Sequence, residues 1–317
     1  MATTKVMRKL CAQIQSGASY ESGAMISMPF TSESIMQNYD EIADESISGE
    51  GFMDIPQQGP RHTSGSVSLN IDPVSCIPLM EAAFGTNSSN VFTLGSNVKK
   101  MSMCCLNSAN AVELANVYPK TFNINGTSAG LIKLETEVIA ETAQVRDAVG
   151  NYPAAPTAFG TPFTFHEAGG TGYVRVGNQD DALSSSDDIC IEEFSLEITT
   201  GFDEQYCNEG TDTLTPVFGM VPPTVSGSFR IARHDSDTFQ DFEDAHTPLQ
   251  MSIYVYKSAT ETMLIEIPNF VISCEITDDD IAKQNITMMI GRNGLGTSYS
   301  NSNMSLTSPV RITIVNS

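Results

Sequence analysis

Apolar and polar residues alternate with a period of two through most of the chain, and Gly, Pro, Asn and Ser separate the alternating stretches. In "FSLEITT" (194–200), Phe194 and Leu196 fall on one side of an extended chain and polar residues fall on the other. The stretches "LIKLETEVIA" (131–140) and "NITMMIG" (285–291) alternate in the same way. Successive side chains of a strand point to opposite faces, so this pattern predicts half-buried β-strands. The predicted fold class is all-β with minor α.

Two stretches favour a helix, and each follows a predicted strand. "DPVSCIPLMEAAFG" (72–85) begins with Asp-Pro and ends in Gly, whereas "HDSDTFQDFEDAH" (234–246) begins with Asp and Ser residues that suit a helix N-terminus. The strands before them read "TSGSVSLNIDP" (63–73) and "VSGSFRIARHD" (225–235), and they resemble each other. The chain therefore carries one strand–helix pattern twice.

A constant offset relates the two copies of this pattern. Adding 162 takes Gly65 to Gly227 and Leu69 to Ile231, and the apolar residues of the following helix stay in step. Further along, an offset of 152 relates Tyr118 to Phe270, Ile124 to Ile276, Leu134 to Ile286 and Val138 to Ile290. We interpret this as a duplication that yields two tandem β-sandwich modules, each with a short flanking helix. Two unrelated strand-rich domains are the alternative.

The module boundaries follow from composition. We assign residues 1–145 to a first module with an N-terminal arm, 146–188 to a connector with an opening hairpin, and 189–317 to a second module. The connector is rich in Pro, Gly and Ser at both ends. Its stretch "AGGTGYVRVG" (168–177) lacks the third Gly of a dinucleotide-binding loop, and no crossover helix follows it. A hairpin turn is predicted there instead.

Charge and cysteine content narrow the range of functions. The chain has 38 Asp plus Glu against 16 Lys plus Arg, a formal net charge of -22, and no basic cluster that suits a run of phosphates. Specific nucleic-acid binding is therefore not expected. No apolar run reaches the length of a signal peptide or a membrane span, so a soluble protein made in a cytoplasm is expected. The seven cysteines are scattered and predicted to be reduced.

Catalytic and metal-binding patterns are weak. The four histidines do not pair at i, i+4 and no Cys-x-x-Cys occurs, so we predict no zinc site, no cofactor and no enzyme activity. Paired carboxylates that hydrolyse a glycosidic bond stay an open alternative in so acidic a chain. Two groups of aspartates are predicted to form solvated turns, with calcium binding as the alternative: Asp278, Asp279 and Asp280, and Asp180, Asp181, Asp187 and Asp188.

Several stretches together resemble the tail tube proteins (major tail proteins) of long-tailed bacteriophages. The first, "SESIMQNYDEIADESISGEGFMDIPQQGPRHTSGSVSLNIDPVSCIPLMEAAFG", has that family's polar loop, strand and short helix. "VFTLGSNVKKMSMCC" and "VYPKTFNINGTSAGLIKLETEVIA" resemble its next strands, and "PFTFHEAGGTGYVRVG" and "EEFSLEITTGFDEQYC" resemble the opening of a second copy. Pro119 departs from the family pattern, in which Gly is more usual. A second long loop, at 203–223, matches nothing in the pattern.

The resemblance implies a structural virion protein whose sheets join edge to edge into rings, which stack into a tube that conducts DNA during ejection. It implies partners as well: further copies of this chain, a tape measure protein, and tail tip or terminator proteins. DNA would pass without specific binding and no membrane would be involved. Location in the virion tail, after assembly in the host bacterial cytoplasm, follows. A capsid decoration protein or surface-binding β module is the alternative.

Three expectations about assembly follow from the residues and the resemblance. The loops at 32–62 and 203–223 are predicted to contact neighbouring rings, and the apolar residues of the first are Ile35, Met36, Ile42, Ile47, Phe52 and Ile55. An acidic stripe is predicted to line the channel, built from Glu135, Glu137, Glu193, Glu197 and Glu275. Because the family builds rings of six single modules, a chain with two modules is expected to form a ring of three chains that imitates a hexamer.

Overall fold

The computed structural model describes residues 8–42, 57–95, 98–107, 110–146, 152–153, 156–179, 181–201, 204–206, 216–218, 223–231, 238–277, 283–291, 306 and 308–316. Strands dominate this part of the chain, and two short α-helices accompany them. The prediction of an all-β fold with minor α is confirmed.

The helices are α1 (Ile77–Phe84) and α2 (Thr238–Asp244). The strands of the N-terminal half are β1 (Lys9–Ile14), β2 (Ile26–Ser27), β3 (Phe30–Glu33), β4 (Met36–Ile42), β5 (Gln57–Asn70), β6 (Val91–Thr93), β7 (Met101–Leu106), β8 (Ala111–Thr127) and β9 (Lys133–Arg146). Those of the C-terminal half are β10 (Tyr173–Asn178), β11 (Ile191–Thr199), β12 (Glu204–Tyr206), β13 (Pro216–Phe218), β14 (Thr224–Ile231), β15 (Leu249–Ser258), β16 (Glu261–Thr277), β17 (Lys283–Ile290) and β18 (Arg311–Asn316).

Sixteen of these strands belong to one hydrogen-bonded sheet that runs through both halves. Its main path has the order β10, β15, β16, β17, β14, β11, β8, β7, β1, β2. Strand β9 also pairs with β8 and carries β5, which in turn pairs with β3 and β4, while β18 joins β16 to β6. Strands β12 and β13 form a separate two-stranded sheet. The halves are thus hydrogen-bonded to each other through β8 and β11 and through β6 and β18.

Corresponding strands of the two halves have corresponding neighbours. Strand β5 lies between β3 and β9, and β14 lies between β11 and β17. Strand β7 lies between β1 and β8, and β15 lies between β10 and β16. Helix α1 packs on β8 and α2 packs on β16. The repeat in the sequence is therefore accompanied by a repeat in strand pairing.

The strand registers correct one of the two sequence offsets. Strands β8 and β16 keep the offset of 152. Ile124 pairs with Leu134 and Ile276 pairs with Gln284, and Gln284 of β17 is the residue that corresponds to Leu134 of β9. For β9 and β17 the pairing indicates 150, since Val138 lies opposite Gly65 and Met288 lies opposite Gly227. The match of Val138 with Ile290 was therefore wrong by two residues. A shift of two keeps every side chain on its face, so alternation alone cannot detect it.

The repeated glycine allows another strand to approach closely. A Cβ at Gly65 would lie 2.5 Å from the Cα of Ile35 and 2.6 Å from its backbone nitrogen. Gly227 lies opposite Leu196, and a Cβ there would lie 2.5 Å from the Cε of Met288. At Gly65 the three nearest atoms are all backbone. At Gly227 the nearest is the end of a flexible side chain, and the one backbone obstacle, the carbonyl oxygen of Ser195, is farther away at 2.9 Å. Gly65 therefore tolerates a side chain less well than Gly227.

We expect Gly65→Ala to lower the free energy of unfolding by about 1–3 kcal/mol, as overpacking does elsewhere. Gly227→Ala is the matched control, and its loss should be smaller because the Met288 side chain can move. Urea unfolding of both variants as unassembled chains measures the two losses. Equal losses would show that the backbone of Ile35 is not the obstacle at Gly65.

Helix α1 is anchored at both ends by buried groups. The carboxylate of Asp72, which is fully buried, accepts hydrogen bonds from the backbone nitrogens of Val74, Ser75 and Gly160, each at 2.9 Å. At the other end, the ring of Phe84 packs edge to face on Phe122, with 5.8 Å between ring centroids. The helix thus closes one side of the hydrophobic core over β8.

The structure explains Pro119 and corrects the hairpin that was predicted at 168–177. Pro119 lies at a register shift between β8 and β9, where a residue without a backbone N–H costs no ladder hydrogen bond. The hairpin predicted for 168–177 is wrong. Phe165–Ala168 forms a 3-10 turn and β10 pairs with β15, so the glycines connect a turn to a strand whose partner is distant in sequence.

Candidate assembly interface

The described part of the first predicted contact loop, 32–42 and 57–62, is largely a β-hairpin. Strand β4 pairs with β5 from Met36 opposite Ser64 to Ile42 opposite Gln57. The interpretation of 32–62 as a loop was therefore wrong for both strands. The two strands are joined by backbone hydrogen bonds, and their sequence lacks the apolar alternation from which strands were predicted elsewhere. Of the apolar candidates, Ile47, Phe52 and Ile55 lie outside the described residues.

The other apolar candidates of this loop lie on or beside β4. Met36 is 62% exposed, and Ile35 is partly buried against the main core. Ile42 lies at the last described position of β4. The second predicted loop, 203–223, likewise contains a pair of strands, in which Tyr206 of β12 lies opposite Pro216 of β13. In the first half, β4 and the beginning of β5 thus form a strand pair that precedes Gly65. In the second half, β12 and β13 form a strand pair that precedes Gly227.

Three of the predicted acidic residues, Glu135, Glu137 and Glu197, lie close together on one face of the sheet. Glu135 and Glu137 of β9 alternate with the buried Leu134 and Thr136, so they point away from the core. One row across the sheet consists of Ser68, Glu135, Asn123, Glu197 and Ser226. We call the surface that includes this row and its neighbours on β8, β9, β11, β14, β16 and β17 the polar face.

The remaining acidic candidates occupy another row of the polar face. Glu193 lies opposite Arg230, which lies opposite Asn285, which lies opposite Glu275. Arg230 forms ion pairs with Glu193 at 3.3 Å and with Glu192 at 2.9 Å. The sheet therefore brings all five predicted glutamates onto one face. Whether this face lines a channel stays a prediction.

The polar face keeps an excess of negative charge. Lys120 lies 4.0 Å from Glu137, which is a weak ion pair at these exposures. Glu135, Glu197 and Glu275 form no ion pair with any described residue. Their neighbours are mainly Ser, Thr and Asn, which carry no charge. Lys133 of β9 and Lys283 of β17 lie on the same face, so the excess of negative charge is small, but it still disfavours binding of a polyanion.

The aspartates that the structure describes have local structural roles. Asp187 accepts a hydrogen bond from the backbone nitrogen of Ser184 at 2.7 Å, and Asp188 pairs with Arg175 at 2.7 Å. The candidates at 180 and 278–280 lie outside the described residues. No group of three or more metal-ligating side chains occurs in the part of the chain that the structure describes. None of the described helices is long and apolar enough to cross a membrane.

A pair of buried thiols was missed by sequence reasoning. Cys11 of β1 lies directly opposite Cys104 of β7, and its Sγ donates to the Cys104 carbonyl at 3.8 Å. The interaction between the two thiol side chains lowers the pKa of the Cys11 thiol and raises the pKa of the Cys104 thiol. The pairing of strands so far apart in sequence leaves no spacing pattern that could have revealed this contact.

Sequence reasoning also missed two strand edges without a partner strand among the described residues. One is the outer edge of Glu33–Gln37, beyond β5, which we call the β3–β4 edge. The other is the edge of Cys274–Ile276 that faces away from β17, which we call the β16 edge. Unpaired edges of this kind are sites at which another chain can add a strand.

Side-chain carboxylates occupy a backbone donor on each edge. The backbone nitrogen of Ile35 donates to Glu33 Oε1 at 3.0 Å. The backbone nitrogen of Cys274 donates to Glu243 Oε2 of α2 at 3.1 Å. The nitrogen of Ile35 therefore points away from β5, and the nitrogen of Cys274 points away from β17. A backbone carbonyl of a partner strand could replace the carboxylate that each nitrogen now contacts.

Comparison with known proteins identifies the family of the chain. No curated protein matches the chain. The model of a family described as phage tail tube protein matches residues 36–289, which is most of the chain and includes both copies of the repeated strand and helix. The chain belongs to the phage tail tube protein family.

Proposed function

We propose that this protein polymerises into rings that stack into the tail tube of a long-tailed phage, and that the tube conducts DNA during ejection. The observation that carries the proposal is the pairing of β8 with β11, which joins the two repeated halves edge to edge within one chain. Family membership supplies the role in the virion tail. The role needs no catalytic group and no cofactor.

Three chains per ring follow from the same pairing. Each chain contributes two similar sets of strands, and one junction between sets lies inside the chain. If the junction between chains has the same geometry, junctions within and between chains alternate around the ring. Head-to-tail surfaces that match close into a ring by rotation, and a ring of six sets needs three chains. The ring then has threefold symmetry that imitates sixfold.

The polar face suits the inner wall of such a tube. Duplex DNA carries about one negative charge per 1.7 Å of its axis, so an acidic wall repels it and lets it slide. A tape measure protein inside the tube and tail tip or terminator proteins at its ends are the further partners that this role requires. We place assembly in the host bacterial cytoplasm, with no membrane involved.

Cryo-electron microscopy of tubes assembled from the purified protein tests the proposal. We expect stacked rings, each with density for three chains that present six similar sets of strands. Density for six complete chains in each ring would contradict the threefold arrangement. Discrete trimers that never stack would instead indicate a capsid decoration protein and would contradict the tube itself.

A further inference from the structure

We propose that the β3–β4 edge of one chain pairs, antiparallel, with the β16 edge of the next chain, and that Ile35 lies opposite the neighbour's Ile276. This inference rests on the ring proposed above and deepens it, because it names the two strands and their register. The occupant of each edge is a second copy of this chain. Pairing would add a strand to each sheet and make the sheet continuous around the ring.

The template for this junction is the pairing of β11 with β8 inside the chain. There, Leu196 lies opposite Ile124, and both side chains are almost completely buried. Strand β11 belongs to the second set of strands, and β8 belongs to the first. The junction between chains would repeat this contact with the corresponding strands, β3–β4 from the first set and β16 from the second.

A shared bulge aligns β3–β4 with β11. The register shifts between Phe30 and Ser32 where β3 pairs with β5, and between Ile191 and Glu193 where β11 pairs with β14. Superposing the two bulges relates Ile35 to Leu196, and each of these lies against one of the repeated glycines. A bulge marks one position along a strand. The alignment on the bulges therefore excludes the shift of two residues that an alignment on alternation alone would allow.

The corresponding alignment of β8 with β16 relates Ile124 to Ile276. In the junction between chains, Ile35 takes the place of Leu196 and Ile276 takes the place of Ile124, so Ile35 lies opposite Ile276. Ile276 is 41% exposed in the single chain, whereas Ile124 is fully buried. Ile35 is only partly buried, whereas Leu196 is 1% exposed. Each edge thus presents an isoleucine at the position where the internal junction buries an aliphatic residue.

The directions of the backbone donors agree with this register. In an antiparallel pair, residues that exchange hydrogen bonds lie directly opposite each other at every second position. Opposing Ile35 to Ile276 places Gln37 opposite Cys274. The nitrogens of Ile35 and Cys274, now held by Glu33 and Glu243, then both point into the junction. A register shifted by one residue would direct one strand's donors away from the other strand.

Space beside the β3–β4 edge is open. A groove of about 500 Å³ runs along Glu33–Gln37 and is otherwise lined largely by apolar residues of β7, β8 and β9, among them Leu106 and Val112. No described strand covers this side of the edge. No described strand therefore occupies the place of a partner beside the β3–β4 edge, whereas at the β16 edge the side chain of Glu243 must move from the backbone nitrogen of Cys274.

Disulfide crosslinking tests the register. In the proposed pairing Met36 lies opposite Glu275 at a position without mutual hydrogen bonds, where Cα atoms are about 4.5 Å apart and a disulfide fits. Both side chains are exposed on the single chain, so Met36→Cys with Glu275→Cys should leave the fold intact. Oxidised tubes of this variant, denatured without reductant, should run mainly as dimers, trimers and closed rings of linked chains.

The matched control is Met36→Cys with Ser273→Cys, which moves one thiol by two residues along the same face of β16. It should give at most about a tenth of the crosslinked product, as should each single variant beside the native cysteines. Equal crosslinking by the control would overturn the register. Tubes of normal appearance without crosslinks in the first variant would overturn the strand pair and leave the tube function standing.

Hydrogen exchange of the unsubstituted protein gives a second measurement that needs no variant. Amides of 33–38 and 272–277 should exchange at least about tenfold more slowly in tubes than in single chains, because their donors become paired between strands. Slowing confined to other segments would overturn the proposed pair. A chain that forms neither tubes nor rings under any condition would overturn the proposed function together with this inference.

Discussion

Replacing residues 43–56 by an Asn-Gly turn should leave a folded chain that forms rings but no stacked tubes. Ile42 and Gln57 are paired, so a two-residue turn can join β4 to β5 without changing their register. The removed segment contains Ile47, Phe52 and Ile55, whose apolar side chains are expected to contact the next ring. Electron microscopy and sedimentation distinguish rings from tubes, and circular dichroism checks the fold.

Two further variants separate the contact from the change of turn. The same Asn-Gly pair at 259 and 260, the two-residue turn between β15 and β16, should leave tubes unchanged. Replacing 207–215 by Asn-Gly between Tyr206 and Pro216 tests the second predicted contact loop in the same way and should also reduce stacking. Tubes of normal length from the 43–56 variant would show that the first loop does not connect rings.

Replacing Glu135 and Glu197 by Lys should leave tubes intact but reduce infection by about tenfold or more. These carboxylates lie in one row of the polar face with only Asn123 between them, and no described residue forms an ion pair with either. Two lysines in their place would attract phosphates and hold DNA in the channel. Electron microscopy of the particles and the rate of DNA release from purified virions measure the two effects.

Two control variants separate the attraction of DNA by the new lysines from the loss of the two carboxylates. Glu135→Gln with Glu197→Gln removes the charge without adding a cation and should release DNA at nearly the normal rate. Asp241→Lys with Asp244→Lys makes the same change of charge on the exposed side of α2, away from the polar face, and should not slow release. Slower release from the lysine variant should recover at higher salt, since screening weakens phosphate contacts. Normal infection by that variant would mean that the polar face does not line the channel.

Much of the fold is written locally in the sequence. Alternation such as that of Phe194 and Leu196 predicts strands, and apolar spacing predicts both helices, because a strand or a helical turn depends on neighbours in the chain. The predicted start of the first helix at Asp72 was wrong, since α1 begins at Ile77 and its N-cap, Cys76, makes no side-chain hydrogen bond. The same alternation placed the five glutamates on strand faces opposite the core. Their gathering on a single polar face needed the order of the strands, which alternation does not contain.

The pairing of strands was decided only by tertiary structure. The β4–β5 hairpin was missed because its sequence has no apolar period, although its backbones are paired. The offset between β9 and β17 was misjudged by two because such a shift keeps each side chain on its face. Which edges stay open, and that Ile35 and Ile276 lie on them, depends on how all the strands of the sheet pair with one another. By itself, the sequence determined most of the strands, the repeat and the resemblance to tail tube proteins, but not β4, β12 and β13. The register and the unpaired edges were decided by packing, because hydrogen bonds between strands carry no trace in local sequence.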